Sequence, residues 1–121
     1  MGKFNSFEEI IAWQKARVFN KRVYEITNGQ DFKKDFDLVK QIRRASISIS
    51  SNIAEGFERN TDKEFIHFLF VAKTSAAEVR SQLYLAIDLN YIEKIEFDEL
   101  FNDVSDISKL ISGFIKYLNK S

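Results

Sequence analysis

Apolar residues recur along this chain at intervals of three and four, the spacing that places side chains on one face of an α-helix. The clearest of these patterns, near the end of the chain, consists of Phe97, Leu100, Val104, Ile107, Ile111, Phe114 and Leu118. No segment alternates apolar and polar residues for long enough to predict a strand. The patterns predict four helices, at approximately 7–28, 36–58, 62–89 and 96–119.

Polar and small residues indicate where the first two helices begin and end. Ser6 and Glu9 fit a capping box, in which each side chain accepts a hydrogen bond from the backbone, so the first helix is expected to begin directly after Ser6. Gly29 is expected to end that helix in the left-handed conformation. Either Asp35 or Asp37 can cap the second helix.

The composition agrees with a single helical domain. The chain has 121 residues, of which 45% are hydrophobic, and it contains four glycines and no proline. Because proline interrupts helices and is common in turns, its absence favours long helices with few connections. Four amphipathic helices joined by short connections predict an all-α, up-down-up-down antiparallel four-helix bundle spanning residues 1–121.

Several classes of function are excluded or disfavoured by residue types. The chain has no cysteine and one histidine, His67, which excludes disulfides, thiolate metal sites and multi-histidine metal sites. The Glu-x-x-His pattern of carboxylate-bridged metal sites occurs once, at Glu64 and His67, whereas such a bundle site needs two copies. No glycine-rich loop precedes a helix, as a phosphate cradle would require. We therefore predict no catalytic residue, no metal, no cofactor and no enzymatic activity.

Neither a membrane span nor a secretion signal is predicted. A span needs about 20 apolar residues in succession, and the start of the chain lacks the apolar core of a signal peptide. The expected location is the cytoplasm, with no membrane partner.

A row of polar residues lies beside the apolar face of the second helix and continues on the third. It consists of Gln41, Ser48, Asn52 and Glu55 on the second helix, and Ser75, Glu78 and Gln82 on the third. Three interpretations remain open: solvated helix surface, polar packing within the bundle or between subunits, and a ligand site. If the row is packed, its amides and carboxylates can fix the register of the helices by hydrogen bonding, since a buried polar group without a partner costs about 1–3 kcal/mol.

One run on the second helix closely resembles a family signature. Residues 41–56 read QIRRASISISSNIAEG, which is similar to the signature of the four-helix bundle proteins encoded in bacterial 23S ribosomal RNA intervening sequences. Residues 13–16 resemble that family's first-helix motif, and residues 89–92 resemble the turn after its third helix. The resemblance extends along nearly the whole chain.

This resemblance implies a four-helix bundle that assembles into a ring-like homopentamer, in a family with no established enzymatic activity. A related branch of strongly basic retroelement accessory proteins works with a reverse transcriptase and nucleic acid. By that similarity the chain is expected to bind RNA or DNA, with Arg43 and Arg44 of the matched run contacting phosphates. The chain departs from the basic branch because its net charge is zero.

Charge is nevertheless distributed unevenly along the sequence. Residues 15–44 contain nine basic and four acidic residues, a local balance of +5. Residues 88–106 contain seven acidic residues and one lysine, a local balance of −6. The pattern therefore predicts a basic edge on the first two helices and an acidic edge around the start of the fourth.

Two hypotheses use this asymmetry. In the first, the basic edge binds nucleic-acid phosphates, with Tyr24 or Trp13 available to stack on bases. The predicted phosphate contacts are Lys15, Lys21, Arg22, Lys40, Arg43 and Arg44. In the second, the basic and acidic edges of adjacent subunits pair with each other, as a ring of identical subunits would allow. The protein would then be a structural assembly or a scaffold for a protein partner, without nucleic acid.

Overall fold

The computed structural model describes residues 4–120, and within them the chain forms four α-helices and no strand. The helices are α1 (Ile11–Thr27), α2 (Phe36–Phe57), α3 (Asp62–Asp88) and α4 (Lys94–Asn119). Two short 3-10 helices, Phe7–Glu9 and Phe32–Lys34, precede α1 and α2. The prediction of an all-α protein with four helices is confirmed. In this described range, no helix is both long enough and apolar enough to cross a membrane.

One apolar core joins the four helices. Helix α1 packs mainly against α2 and α4, and α3 also packs mainly against α2 and α4. The residues predicted from the spacing of three and four form this core: in α4, Leu100, Val104 and Ile111 have no exposed surface. Burial of these helix faces, which removes apolar area from water, is the main stabilising contribution to the fold.

Side chains cap α2 and α3 at their first turns. The Leu38 N–H donates to Oδ1 of Asp35 over 3.1 Å, so Asp35 rather than Asp37 is the cap of α2. The Glu64 N–H donates to the Thr61 hydroxyl over 3.1 Å at the start of α3. Each bond satisfies a backbone N–H that has no partner within its helix.

The first α-helix begins four residues later than the sequence pattern indicates. Residues Phe7–Glu9 form a 3-10 turn, and the extended backbone of Ile10 (φ −78°, ψ 121°) separates it from α1. This break turns the Ile10 side chain into the core, where it is 2% exposed. The predicted capping box is wrong: the Ser6 side chain makes no capping bond, and Glu9 accepts from the Asn5 N–H instead.

The left-handed residue also lies elsewhere than predicted. Gly29 does not have a positive φ, and among residues 4–120 that conformation belongs to Asn90, with φ of 62°. The Asn90 N–H donates to the Ile87 carbonyl, and the Tyr91 N–H reaches back to the Ala86 carbonyl over 2.9 Å. These two bonds form a Schellman motif, whose left-handed residue is usually glycine but can also be asparagine. The motif ends α3 and directs the chain toward α4.

Candidate functional site

A shallow groove of about 570 Å³, here called the α1–α2 groove, lies between the end of α1 and the first half of α2. Its lining consists of Tyr24 from α1 and Phe36, Asp37, Val39, Lys40, Arg43, Arg44 and Ile47 from α2. The groove combines three cations with large apolar side chains in contact with solvent. Phe36 is 80% exposed, and Tyr24 and Ile47 are also exposed.

Arg43 is held in place inside this groove by neutral partners. Its Nε donates to the Thr27 hydroxyl over 2.9 Å, and that hydroxyl donates in turn to the Val23 carbonyl over 2.7 Å. The guanidinium carbon lies 4.2 Å from the centre of the Tyr24 ring, a cation–π contact. No other residue in the described range accepts a hydrogen bond from the two Nη groups of Arg43, so they remain free to bind an anion.

The start of α2, and with it the groove, is tied to the connection between α3 and α4. Asp35 caps α2 through one carboxylate oxygen and accepts from the Tyr91 hydroxyl through the other, over 3.0 Å. The Tyr91 ring also packs on Phe32, with 5.2 Å between ring centroids. The hydrogen bond to Asp35, followed by burial, raises the pKa of Tyr91 above its ordinary value of 10.0. Tyrosine is protonated at neutral pH even at its ordinary pKa, so Tyr91 donates to the cap there.

The six predicted phosphate contacts do not form one continuous basic edge. Three of them, all on α2, line the α1–α2 groove: Lys40, Arg43 and Arg44. Lys21 is exposed on α1, outside that groove. The other two lie on the side of α1 that faces α4.

Those two cations face carboxylates of the same subunit. Arg22 forms an ion pair with Glu99 of α4, with 3.1 Å between Nη2 and Oε1. Lys15 lines a second groove, between α1 and α4, together with Asp103 and Asp106. The basic and acidic edges predicted from the sequence therefore meet within one chain along α1 and α4. Arg22 and Lys15 are consequently weaker candidates for phosphate than the three residues on α2.

The predicted polar row divides into a solvated part and a packed part, apart from Gln82 at its end, which is half-buried and whose Oε1 has no hydrogen-bond partner among residues 4–120. The exposed members are Gln41, Glu55 and Glu78. The packed members are bonded together: the Asn52 amide donates to the carbonyl and hydroxyl oxygens of Ser48, and the Ser75 hydroxyl donates to the Ser48 hydroxyl over 2.9 Å. This cluster joins α2 to α3, so polar packing within the subunit accounts for the middle of the row.

A second polar cluster, which the sequence analysis missed, joins α2 to α1. The Ser46 hydroxyl donates to the Asn20 side-chain carbonyl over 2.7 Å, and the Asn20 amide donates to the Ser50 hydroxyl over 3.0 Å. Ser46 is fully buried. The available signal was the spacing of four between the two serines, which places both on one face of α2. Together the two clusters lock α2 between its neighbours.

In the part of the chain that the structure describes, few other side chains are candidates for a metal-binding or catalytic site. No group of three or more histidine, aspartate and glutamate side chains there is arranged to hold a metal ion. His67 is exposed, and its ring lies edge-on to Phe68 with 5.7 Å between centroids. The α1–α2 groove, which combines three cations with exposed apolar side chains, is therefore the candidate site.

This chain is similar to known proteins over most of its length. The family model described as 23S rRNA-intervening sequence protein matches residues 8–113, which include the whole α1–α2 groove. The fold is also similar to the crystal structure of a protein of unknown function from the S23 ribosomal protein family of Bacteroides thetaiotaomicron VPI-5482. The two share 30% sequence identity with a TM-score of 0.80, over 88% of this chain and 99% of that chain. No curated protein matches this sequence.

Proposed function

This chain belongs to the 23S rRNA-intervening sequence protein family, and from that premise we propose that it binds RNA through the α1–α2 groove, without enzymatic activity. The observation that carries the proposal is the combination of Lys40, Arg43 and Arg44 with exposed aromatic rings in one groove. None of these cations has a carboxylate partner among residues 4–120. Cations bind phosphates and aromatic rings stack on bases, so the lining suits a nucleic acid. A ribosomal RNA ligand would be met in the cytoplasm.

The proposed architecture behind this site is an up-down-up-down antiparallel bundle. Contacts between α1 and α2 support it, because Thr27 near the end of α1 meets Arg43, whereas the earlier Asn20 meets the later Ser50. Ring contacts between α3 and α4 follow the same order: Phe65 with Phe114, and Tyr84 with Phe97. Residue numbers that rise in one helix as they fall in its partner are typical of antiparallel neighbours.

Removing two groove cations is expected to weaken RNA binding. Arg43→Ala combined with Arg44→Ala should lower RNA affinity about tenfold or more at ~50 mM salt, since two charge-assisted contacts are lost. The slope of log affinity against log salt should become shallower by up to roughly 1.4 for a single strand. Fluorescence anisotropy of a labelled RNA at several salt concentrations measures both quantities.

A matched variant separates the groove from overall charge. Lys109→Ala with Lys116→Ala removes the same charge from exposed positions on α4 and should leave RNA affinity nearly unchanged. Equal losses in the two double variants would mean that the groove is not the binding site. Failure of the unmodified protein to retain RNA at ~50 mM salt would defeat the proposed function itself.

A second candidate function is structural self-assembly, as a ring-like homopentamer. The observation in its favour is a set of large apolar side chains exposed outside the groove: Val18 at 66%, Ile95 at 65% and Leu85 at 47%. Where exposed apolar side chains adjoin one another, they form the kind of patch that contacts another protein. Because Arg22 is already paired with Glu99 in its own chain, apolar contacts rather than charge pairs would hold the ring together.

Light scattering tests this assembly. The expected mass in solution is about five times the 14.1 kDa of one chain, and it should change little between low and high salt because apolar contacts are not screened. A mass of one chain at every concentration would exclude the ring. If the Arg43→Ala, Arg44→Ala variant alone dissociates, the groove serves assembly instead of RNA.

A further inference from the structure

One face of α2 forms the floor of the α1–α2 groove. Phe36, Lys40, Arg43 and Ile47 follow one another at intervals of four, three and four, so they share that face. At 1.5 Å per residue this row is roughly 16 Å long. It presents an aromatic ring at one end, two cations in the middle and an aliphatic side chain at the other end. A ligand for this row must therefore offer both negative charge and apolar surface within a short distance.

Phe36 is the most exposed large apolar residue in the described range, so packing of the core does not explain its position. It is the first residue of α2, and with 80% of its surface exposed it contributes almost nothing to the core. Asp35 and the Tyr91 hydroxyl fix the backbone directly before it, so the ring is carried on a rigid support. An unpaired base can stack on such a ring, whereas a duplex keeps the faces of its bases covered.

Arg43 supplies a prepared anion contact two helical turns from Phe36. Its Nε and its ring face are already engaged by Thr27 and Tyr24, which leaves the pair of Nη groups for a phosphate. A guanidinium held in one conformation loses less freedom on binding than a mobile one.

The charge of the groove is small. Its three cations are accompanied by Asp37, which leaves a net charge of +2. Tight binding to duplex nucleic acid commonly uses 6–10 phosphate contacts, and this groove cannot supply that number. Two of the other predicted contacts, Lys15 and Arg22, face carboxylates on α4, and Lys21 lies outside the groove. A groove with few charges and exposed aromatic rings is therefore expected to bind single-stranded rather than duplex nucleic acid.

We infer that the α1–α2 groove selects unpaired RNA, with a base stacked on Phe36 and a neighbouring phosphate bound by the Nη groups of Arg43. This inference rests on the proposed RNA binding and adds to it the class of RNA and the residue that recognises it. Lys40 and Arg44 line the same groove and contact the flanking phosphates.

The test compares a labelled, unstructured 12-nucleotide RNA with a duplex of the same length at one salt concentration, using the full-length protein. The single strand is expected to bind at least tenfold more tightly. Phe36→Ala should lower single-strand affinity about tenfold without changing the salt slope, because no charge is lost. Phe36→Tyr should retain the affinity, since a tyrosine ring also stacks.

Two further measurements identify the cause of any loss. Phe70→Ala removes an exposed ring that lies on α3, outside the α1–α2 groove, where Phe70 is 49% exposed, and should leave binding unchanged. A 2-aminopurine base in the strand should show a change of emission on binding to the unmodified protein that is absent with Phe36→Ala, because this emission responds to stacking.

The outcomes separate this inference from the proposed function. Equal affinity for duplex and single strand, with no effect of Phe36→Ala, overturns the inference while RNA binding stands. Retention of neither RNA at ~50 mM salt overturns both. If Phe36→Ala lowers the mass in solution and leaves RNA affinity intact, the ring packs against a second copy of the chain, and the inference is wrong.

Discussion

Replacing Phe65 with alanine is expected to lower the free energy of unfolding by about 3–5 kcal/mol, because it removes a large buried ring and leaves a cavity. Phe65 has no exposed surface. Its ring meets Phe57 edge-on at 6.0 Å and Phe114 at 5.2 Å between centroids. One side chain of α3 therefore contacts both α2 and α4, and its loss weakens the packing of three helices at once. Urea denaturation monitored by circular dichroism measures this change in the free energy of unfolding.

Phe70→Ala is the matched control on the same helix. Its ring is 49% exposed, so its removal should change the free energy of unfolding by less than about 1 kcal/mol. The slope of the free energy of unfolding against urea concentration should be the same for both variants, since the surface exposed on unfolding is nearly constant. Equal midpoints for Phe65→Ala and Phe70→Ala would show that Phe65 is not a core residue.

Gly56→Ala is expected to lower the free energy of unfolding by about 1–3 kcal/mol, even though alanine favours helices over glycine by about 1 kcal/mol. A Cβ at this position would lie 2.7 Å from Cβ of Phe68 and 2.8 Å from Cδ1 of Phe65. Because the Cβ of Phe68 is fixed to the backbone of α3, the clash can be relieved only by moving α2 away from α3. The same denaturation experiment measures the loss.

Gly113→Ala is the control for Gly56→Ala, because Gly113 is also a glycine within a helix. Among residues 4–120, no atom lies within 4 Å of the position that its Cβ would take, apart from its chain neighbours and the nearby backbone of α4, so the change should stabilise the protein by about 0.4–1 kcal/mol. The two substitutions are thus expected to have opposite signs. A gain of stability in both would mean that α2 and α3 are not in close contact at Gly56.

These stability predictions bear on the candidate site because α2 carries most of the α1–α2 groove. Close contact at Gly56 and the Ser48 cluster hold α2 against α3, while the Ser46 hydrogen bond to Asn20 holds it against α1. Asp35 fixes its first turn. A helix held at so many points keeps the backbone beneath the groove in a fixed arrangement, which reduces the entropy lost when a ligand binds.

The candidate site was only partly predictable from sequence. The motif at residues 41–56 directs attention to α2, and Lys40, Arg43 and Arg44 share a groove there, while their contact with phosphate stays a prediction. The exposure of Phe36, on which its proposed role depends, does not follow from the sequence, because an apolar residue at the start of an amphipathic helix gives no indication of whether its ring will be covered. Residue type likewise does not distinguish Ser46 and Ser50, which bond to α1, from Ser48, which bonds to α3.

The sequence by itself determined the number of helices, their approximate bounds, most of their buried faces and the family. These properties depend on the period of 3.6 residues, which is local to each helix and is written in the order of apolar residues. Only the tertiary structure decided that Arg22 pairs with Glu99, that Thr27 holds Arg43, and that Asn90 rather than Gly29 takes the left-handed turn. Such contacts depend on how each helix is rotated and shifted against its neighbours. That arrangement follows from packing all four apolar faces together, and no single helix encodes it.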